Sequence, residues 1–165
     1  MSQLVRSCFY QLRRIKTIRK FIPTSTAVVL VNSFIVSRVD YCNSLLAGLP
    51  ICQLDRIQSV LNAAARLIYG WTSSNHDTDL LRDNLHWLHV PQRIIYKLCL
   101  ITYKAIHNSM PDYITDFCIS AAASRQPAAI ISENLLQVPR SSTKFGDCSF
   151  YVAGPTAWNS PGTEI

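Results

Sequence analysis

The chain has 165 residues and a mass of 18.6 kDa, a length that fits one domain of ordinary size and excludes a multidomain enzyme. Apolar residues make up 48%, enough for a core, whereas charged residues are only 16%, against about 25% in a typical globular domain. Such a surface suits a piece that leans on another body. The net charge of +6 is localised: residues 1–20 carry six bases (Arg6, Arg13, Arg14, Lys16, Arg19 and Lys20) and no acid, while residues 21–165 carry ten of each. An acid-free basic segment at the N-terminus calls for an anionic partner: nucleic acid, an anionic membrane surface or a targeting receptor.

Apolar periodicity predicts a first helix over 2–22. Leu4, Val5, Cys8, Phe9, Leu12, Ile15 and Ile22 form one stripe, with Arg6, Arg13, Lys16 and Lys20 on an adjoining one. Pro23 ends it, and Ser25 or Thr26 is placed to cap a second helix over 26–46 that is apolar nearly all round. A third runs over 53–69 with Leu54, Ile57, Leu61, Ala64, Leu67 and Ile68 inward, and Gly70 as its C-terminal stop. After a polar loop over 72–78 comes a short helix through Leu81, Leu85 and Leu88. Pro91 opens a longer one over 92–108, and Pro111 and Asp112 start another that ends in the alanines of 121–123.

From Arg125 onward proline and glycine become frequent, and Phe150-Tyr151-Val152 reads as a β-like piece. The expectation is a mainly α fold: a bundle of five to six helices over 1–124, with an irregular, short-strand tail over 125–165.

The six cysteines include no C-x-x-C pair. Cys8, Cys42 and Cys99 lie among apolar residues at helical spacing, as free core thiols do, and no disulfide framework is expected. The most apolar stretch, 27–39, is too short and too polar to span a bilayer. An intracellular location, nuclear or cytoplasmic, is expected.

Catalytic motifs are missing. There is no G-x-x-x-x-G-K-[ST] loop, no G-x-G-x-x-G and no G-x-S-x-G, and no paired acids follow a strand as a two-metal polymerase site requires. Asp83, His86 and His89 could converge on a metal if three-residue steps fell on a helix, yet the spacing matches no zinc motif; beside it stands the plainer reading of two histidines flanking a core Trp87. No cofactor and no catalysis are expected. The basic first helix carries the strongest physical signal. Lys16 and Lys20, four apart, repel by about 0.2–0.5 kcal/mol, and with no acid on the helix an external phosphate is the natural complement. A solvated helix face and an import presequence, which shares this composition, stand as the rivals. Arg56, Arg66, Arg93, Lys97, Lys104, Arg140 and Lys144 read as solvated, and Tyr41, Tyr96, Trp71 and Trp87, which could stack on bases, read as core at helical spacing.

The string S-R-V-D-Y-C-N-S-L-L-A-G-L-P from Ser37 to Pro50 resembles the segment after the polymerase palm in reverse transcriptases of non-LTR retrotransposons (the LINE group, CR1/L2/jockey-like). The similarity continues through N-A-A-A-R-L-I (62–68), L-H-W-L (85–88), R-I-I-Y-K-L (93–98), L-I-T-Y-K-A (100–105), V-P-R (138–140) and A-W-N-S (157–160). His89 and the end from Ser160 depart from the family's pattern, as in a degenerate copy of such an element. The resemblance implies a thumb and post-thumb region without the catalytic aspartates or the endonuclease. Its implied partners are RNA or an RNA–DNA duplex, held through the backbone by Arg6, Arg13, Arg14, Lys16, Arg19 and Lys20, and the palm and fingers of a parent polymerase. Residues 1–50 also resemble the segment preceding AlkB-type oxygenase and methyltransferase domains, whose iron and nucleotide motifs are missing here. Two alternatives stand: a decayed-element fragment with no biochemical role, and a protein addressed by an N-terminal targeting or membrane-surface helix.

Overall fold

A computed structural model describes residues 2–70, 85–121 and 135–160. The described residues are mainly helical and contain no sheet; one isolated antiparallel bridge joins Ser120 to Leu136. They fall into two compact units, one of residues 1–42 and 50–93, the other of residues 43–49 and 94–165. The composition boundary at Arg125, the loop over 72–78, and Leu81 and Asp83 lie outside the described residues.

In the first unit, α1 (Ser2–Ile18) is amphipathic as its stripe requires, and buries Cys8, Leu12 and Ile15. It tightens into a 3₁₀ turn, Arg19–Phe21, before Pro23. Pro23 itself occupies the cap position of α2 (Thr24–Val31), so neither Ser25 nor Thr26 caps it. The helix runs on through a π-helical turn (Asn32–Val36) into α3 (Ser37–Asp40). It stops there rather than at Leu46 because Tyr41 turns extended and Cys42 takes a φ of +52°. A separate 3₁₀ turn, Asn43–Leu46, follows.

The next helix, α4 (Ile51–Tyr69), buries Leu54, Ile57, Val60, Leu61, Ala64, Ala65 and Ile68, and packs against α1, α2 and the π turn. Gly70 closes it in the left-handed conformation (φ 68°, ψ 23°), donating to the Arg66 carbonyl as expected of a glycine stop.

A long helix, α5 (Val90–Ile106), follows. Its entry is residues 85–89, where the periodicity predicts part of a short helix through Leu85 and Leu88. Leu85 lies in a turn, His86 to His89 are irregular, and His86 has a φ of +52°. At the helix start the Gln92 side-chain oxygen accepts from the His89 N–H (3.1 Å), and Gln58 of α4 accepts from the Val90 N–H (2.9 Å). These two amides are among the four that a helix start cannot pair internally. Arg93 completes the joint: Nε donates to the Leu88 carbonyl (2.7 Å), Nη1 reaches both Asp40 carboxylate oxygens (3.0 and 2.8 Å), and the guanidinium lies over the Trp87 ring. Arg93 is therefore a tethered residue, not the solvated one its surroundings in sequence suggest.

In the second unit α6 (Asp112–Thr115) is one turn, well short of the alanines. Residues 135–137 are held on one side by Ile119 and Ala121 through backbone bonds of 2.8 and 2.9 Å. On the other side the Asn159 amide both accepts from and donates to Leu136 (3.0 and 2.7 Å). Thr143 caps the short α7 (Lys144–Asp147) through the Gly146 N–H. Phe150-Tyr151-Val152 is not a strand but the start of α8 (Phe150–Asn159), which tolerates Pro155 inside it. The fourth residue after Phe150 is Gly154, and a side chain there would lie 2.8 Å from the Phe150 ring, so the ring folds over the glycine in helical register.

All six cysteines are free, but they do not share one environment: Cys8 is buried, Cys99 half-buried and Cys42 exposed, against the expectation for the last. Tyr41, expected in the core, is 80% exposed, and Tyr96 is also at the surface.

Candidate functional site

The site begins with two helical stripes. On α1 and the turn after it, Phe9, Leu12, Arg13, Lys16, Arg19 and Lys20 recur at three- and four-residue steps; on α4, Ala63, Arg66, Leu67 and Gly70 do the same. Because α1 packs along α4, the two stripes face one groove of about 830 Å³ inside the first unit. Phe9, Leu12, Ala63 and Leu67 give it apolar lining, and Arg13, Lys16, Arg19, Lys20 and Arg66 give it positive charge, with no acid among the described lining residues.

Five bases around one concavity repel one another, and the groove's end at the C-terminus of α4 offsets part of that. The carbonyl end of a helix carries partial negative charge. Arg19 sits on it: Nε donates to the Leu67 carbonyl (3.1 Å) and Nη2 to that of Ile68 (2.6 Å), while further bonds reach the Ile22 carbonyl and the Thr24 hydroxyl. Those bonds use most of the five guanidinium donors. Arg19 thus pins the end of α4 and the turn before α2, and lends the groove charge more than free donors.

The six bases named from sequence divide accordingly. Arg13, Lys16 and Lys20 are exposed and line the groove, with the Lys20 ammonium 4.8 Å from the Phe21 ring centre. Arg19 lines it but is bonded to backbone. Arg6 and Arg14 are exposed on α1 outside the lining, and Arg14 lies over the Tyr10 ring. Arg66, read as solvated from sequence, belongs to the groove. Its signal was present in the i, i+3, i+4, i+7 stripe from Ala63 to Gly70, whose small end residues leave room for a concavity. That stripe reads as a site only once the helix opposite it is known.

Of the metal candidate Asp83, His86 and His89, only the two histidines are described. His86 is exposed in a left-handed backbone conformation, the His89 backbone serves the start of α5, and Asp83 lies outside the described residues. Among the described residues no group of three or more His, Cys, Asp or Glu is placed to hold a metal ion, and no helix is long and apolar enough to cross a membrane.

Burial pushes the Cys8 thiol above its ordinary value, with Arg38 pulling weakly the other way, and burial likewise raises Cys99 and Cys118. None of the three is an activated nucleophile, since activation requires the opposite shift.

Fold and groove together define a class: a helical module with a cationic groove that is partly lined by apolar side chains. Compared with protein-family models, curated proteins and solved structures, the chain matches none.

Proposed function

We propose that the first unit is a non-catalytic nucleic-acid-binding module, the thumb-like remnant of a retrotransposon reverse transcriptase, gripping a template–product duplex through its backbone. The observation that carries this is the convergence of Arg13, Lys16 and Lys20 on one groove with no acid among its described lining residues. Bases that neutralise phosphates bind by releasing counterions, so affinity depends on salt and not on sequence. The similarity of Ser37 to Pro50 and of the later motifs to the region after a polymerase palm supports the same assignment.

Two further observations bear on the partner. Cys8, Leu12 and Ile15 of α1 are buried, so the amphipathic stripe is used as core, which favours a docked element over a detachable import address. Phe21, Val29, Tyr41 and Ile51 are exposed large apolar side chains in the first unit, which suits a chain completed by the palm and fingers of a parent polymerase.

Filter binding of an RNA–DNA duplex across a salt series tests the proposal. Three phosphate contacts, from Arg13, Lys16 and Lys20, predict a log–log slope of about −2 to −3. Changing Arg13, Lys16 and Lys20 together to Glu is expected to remove most of that slope and the binding with it. Unchanged affinity and slope in that variant would refute the assignment, provided its thermal transition matches that of the parent chain.

A further inference from the structure

Helix α5 is apolar on two sides. Ile94, Leu98, Thr102 and Ala105, at steps of three and four residues, are its buried side. Away from them Tyr96, Cys99, Tyr103 and Ile106 form a second stripe, all within the second unit. Tyr96 and Tyr103 are 52% and 49% exposed, Ile106 is exposed and Cys99 is half-buried. A helix face left to water is expected to be polar, so this outer stripe has the composition of a contact surface.

The spacing of the stripe says what fits it. Its steps are three, four and three, the repeat with which one helix packs along another. They read the same from either end. A second copy of α5 running the opposite way therefore sets Tyr96 against Ile106 of that copy, and Cys99 against its Tyr103. Each of the four layers then joins one ring to one smaller apolar group, and two of them are sulfur–aromatic contacts. A copy running the same way would instead set ring on ring in one layer and thiol on thiol in the next. The Tyr103 ring is held in advance: His107 stacks on it at 4.0 Å, and His107 Nδ1 donates to the Tyr103 carbonyl (2.8 Å).

Charge narrows the occupant further. The positions flanking such a stripe, where charges choose the partner of a helix, are Ile95, Leu100, Thr102 and His107. No acid, lysine or arginine stands among them, so α5 offers little for an oppositely charged helix to recognise and little that repels its own copy.

We propose that the outer stripe of α5 is a self-association surface, through which two copies of the chain pair antiparallel by Tyr96, Cys99, Tyr103 and Ile106. The proposal does not depend on the nucleic-acid assignment. Four partly exposed side chains a side bury well under the roughly 800 Å² per partner of a standard interface, so the dimer is weak, with a dissociation constant of about 10–100 μM.

Sedimentation velocity of the full chain, over concentrations bracketing that constant and at low and high salt, tests it. A reversible monomer–dimer equilibrium is expected, changing less than about threefold with salt because no ion pair holds it. Tyr96→Glu and Tyr103→Glu should each weaken it about tenfold or more, and Lys104→Glu, exposed on α5 but off the stripe, by less than about threefold. Direction is read separately. With Cys42→Ser and Cys52→Ser as background, adding Tyr103→Cys should yield more disulfide-linked dimer under mild oxidation than the background alone, since positions 99 and 103 oppose each other only in the antiparallel pair. Where the thermal transition of a glutamate variant falls below that of the parent, the disulfide result decides. A monomer at every concentration, a dimer indifferent to both tyrosine variants, a dimer dissolved by high salt, or no gain in linked dimer overturns the proposal. None of these outcomes touches the nucleic-acid assignment, which stands or falls on Arg13, Lys16 and Lys20.

Discussion

Arg19 and Lys16 are three positions apart on the same basic segment, yet they answer different questions when replaced. Arg19→Ala removes four hydrogen bonds, two of them to the last carbonyls of α4, and is expected to lower stability by about 1.5–3 kcal/mol in urea unfolding. Lys16→Ala is expected to leave the urea midpoint within about 0.5 kcal/mol while weakening duplex binding. Equal stability losses in the two variants would contradict the division of roles. Arg93 makes a comparable prediction. Its side chain is 12% exposed, and Asp40 is 38% exposed, so the ion pair itself is discounted to at most about 1 kcal/mol by solvent. The bond to Leu88 and the packing over Trp87 add to it, and Arg93→Ala should cost about 1.5–3 kcal/mol, with Asp40→Asn costing about 1 kcal/mol or less. Arg93→Lys should behave more like the alanine variant, since an ammonium cannot serve Leu88 and Asp40 from one planar fork.

Helix ends decide more at the next scale than helix interiors do. Among the described residues Gly70 has nothing within 4 Å of where a side chain would stand, so Gly70→Ala tests backbone strain. The left-handed conformation predicts a loss of about 1 kcal/mol in thermal or urea unfolding. In the second unit the Asn159 amide closes α8 onto residue 136 from both its oxygen and its nitrogen. Asn159→Asp keeps the acceptor and loses the donor, and places a carboxylate oxygen against the Leu136 carbonyl. It should therefore destabilise at least as much as Asn159→Ala, by about 1–3 kcal/mol on denaturation. The Gly70 stop was legible because its left-handed cap needs only one residue type. The start of α5 was not, because the groups that satisfy it come from Gln58, 32 residues away, and from an arginine whose partner is 53 residues distant. Likewise Phe150-Tyr151-Val152 satisfies a strand and a helix equally until Gly154 makes room for the Phe150 ring.

For the chain as a whole, the buried thiols set a pH limit on stability. Well below pH 9.0, the ordinary thiol value, Cys8, Cys99 and Cys118 are neutral in folded and unfolded chains alike. As pH rises past it, the unfolded chain releases these protons first, because burial holds the folded values higher, and stability falls with rising pH. Thermal melts between pH 7 and 10.5 should show that decline, reduced in a Cys8→Ser, Cys99→Ser, Cys118→Ser variant after its lower baseline is subtracted. Under native conditions Cys42 and Cys52 should react with a thiol reagent well before Cys8. By itself the sequence determined that the chain is helical, that α1 and α4 each have an inward apolar stripe, that Gly70 ends α4, and that all excess positive charge lies in the first 20 residues. Those are properties of local periodicity and composition, which neighbours in sequence suffice to express. Which bases share a groove, which one is tied to a helix end, and that Arg66 and Arg93 have specific places were settled only by packing α1 along α4 and by the bonds that tie Val90 to Gln58 and Arg93 to Asp40. Charge position along a chain says how much positive potential is available, and only the approach of a second helix makes a concave site of it.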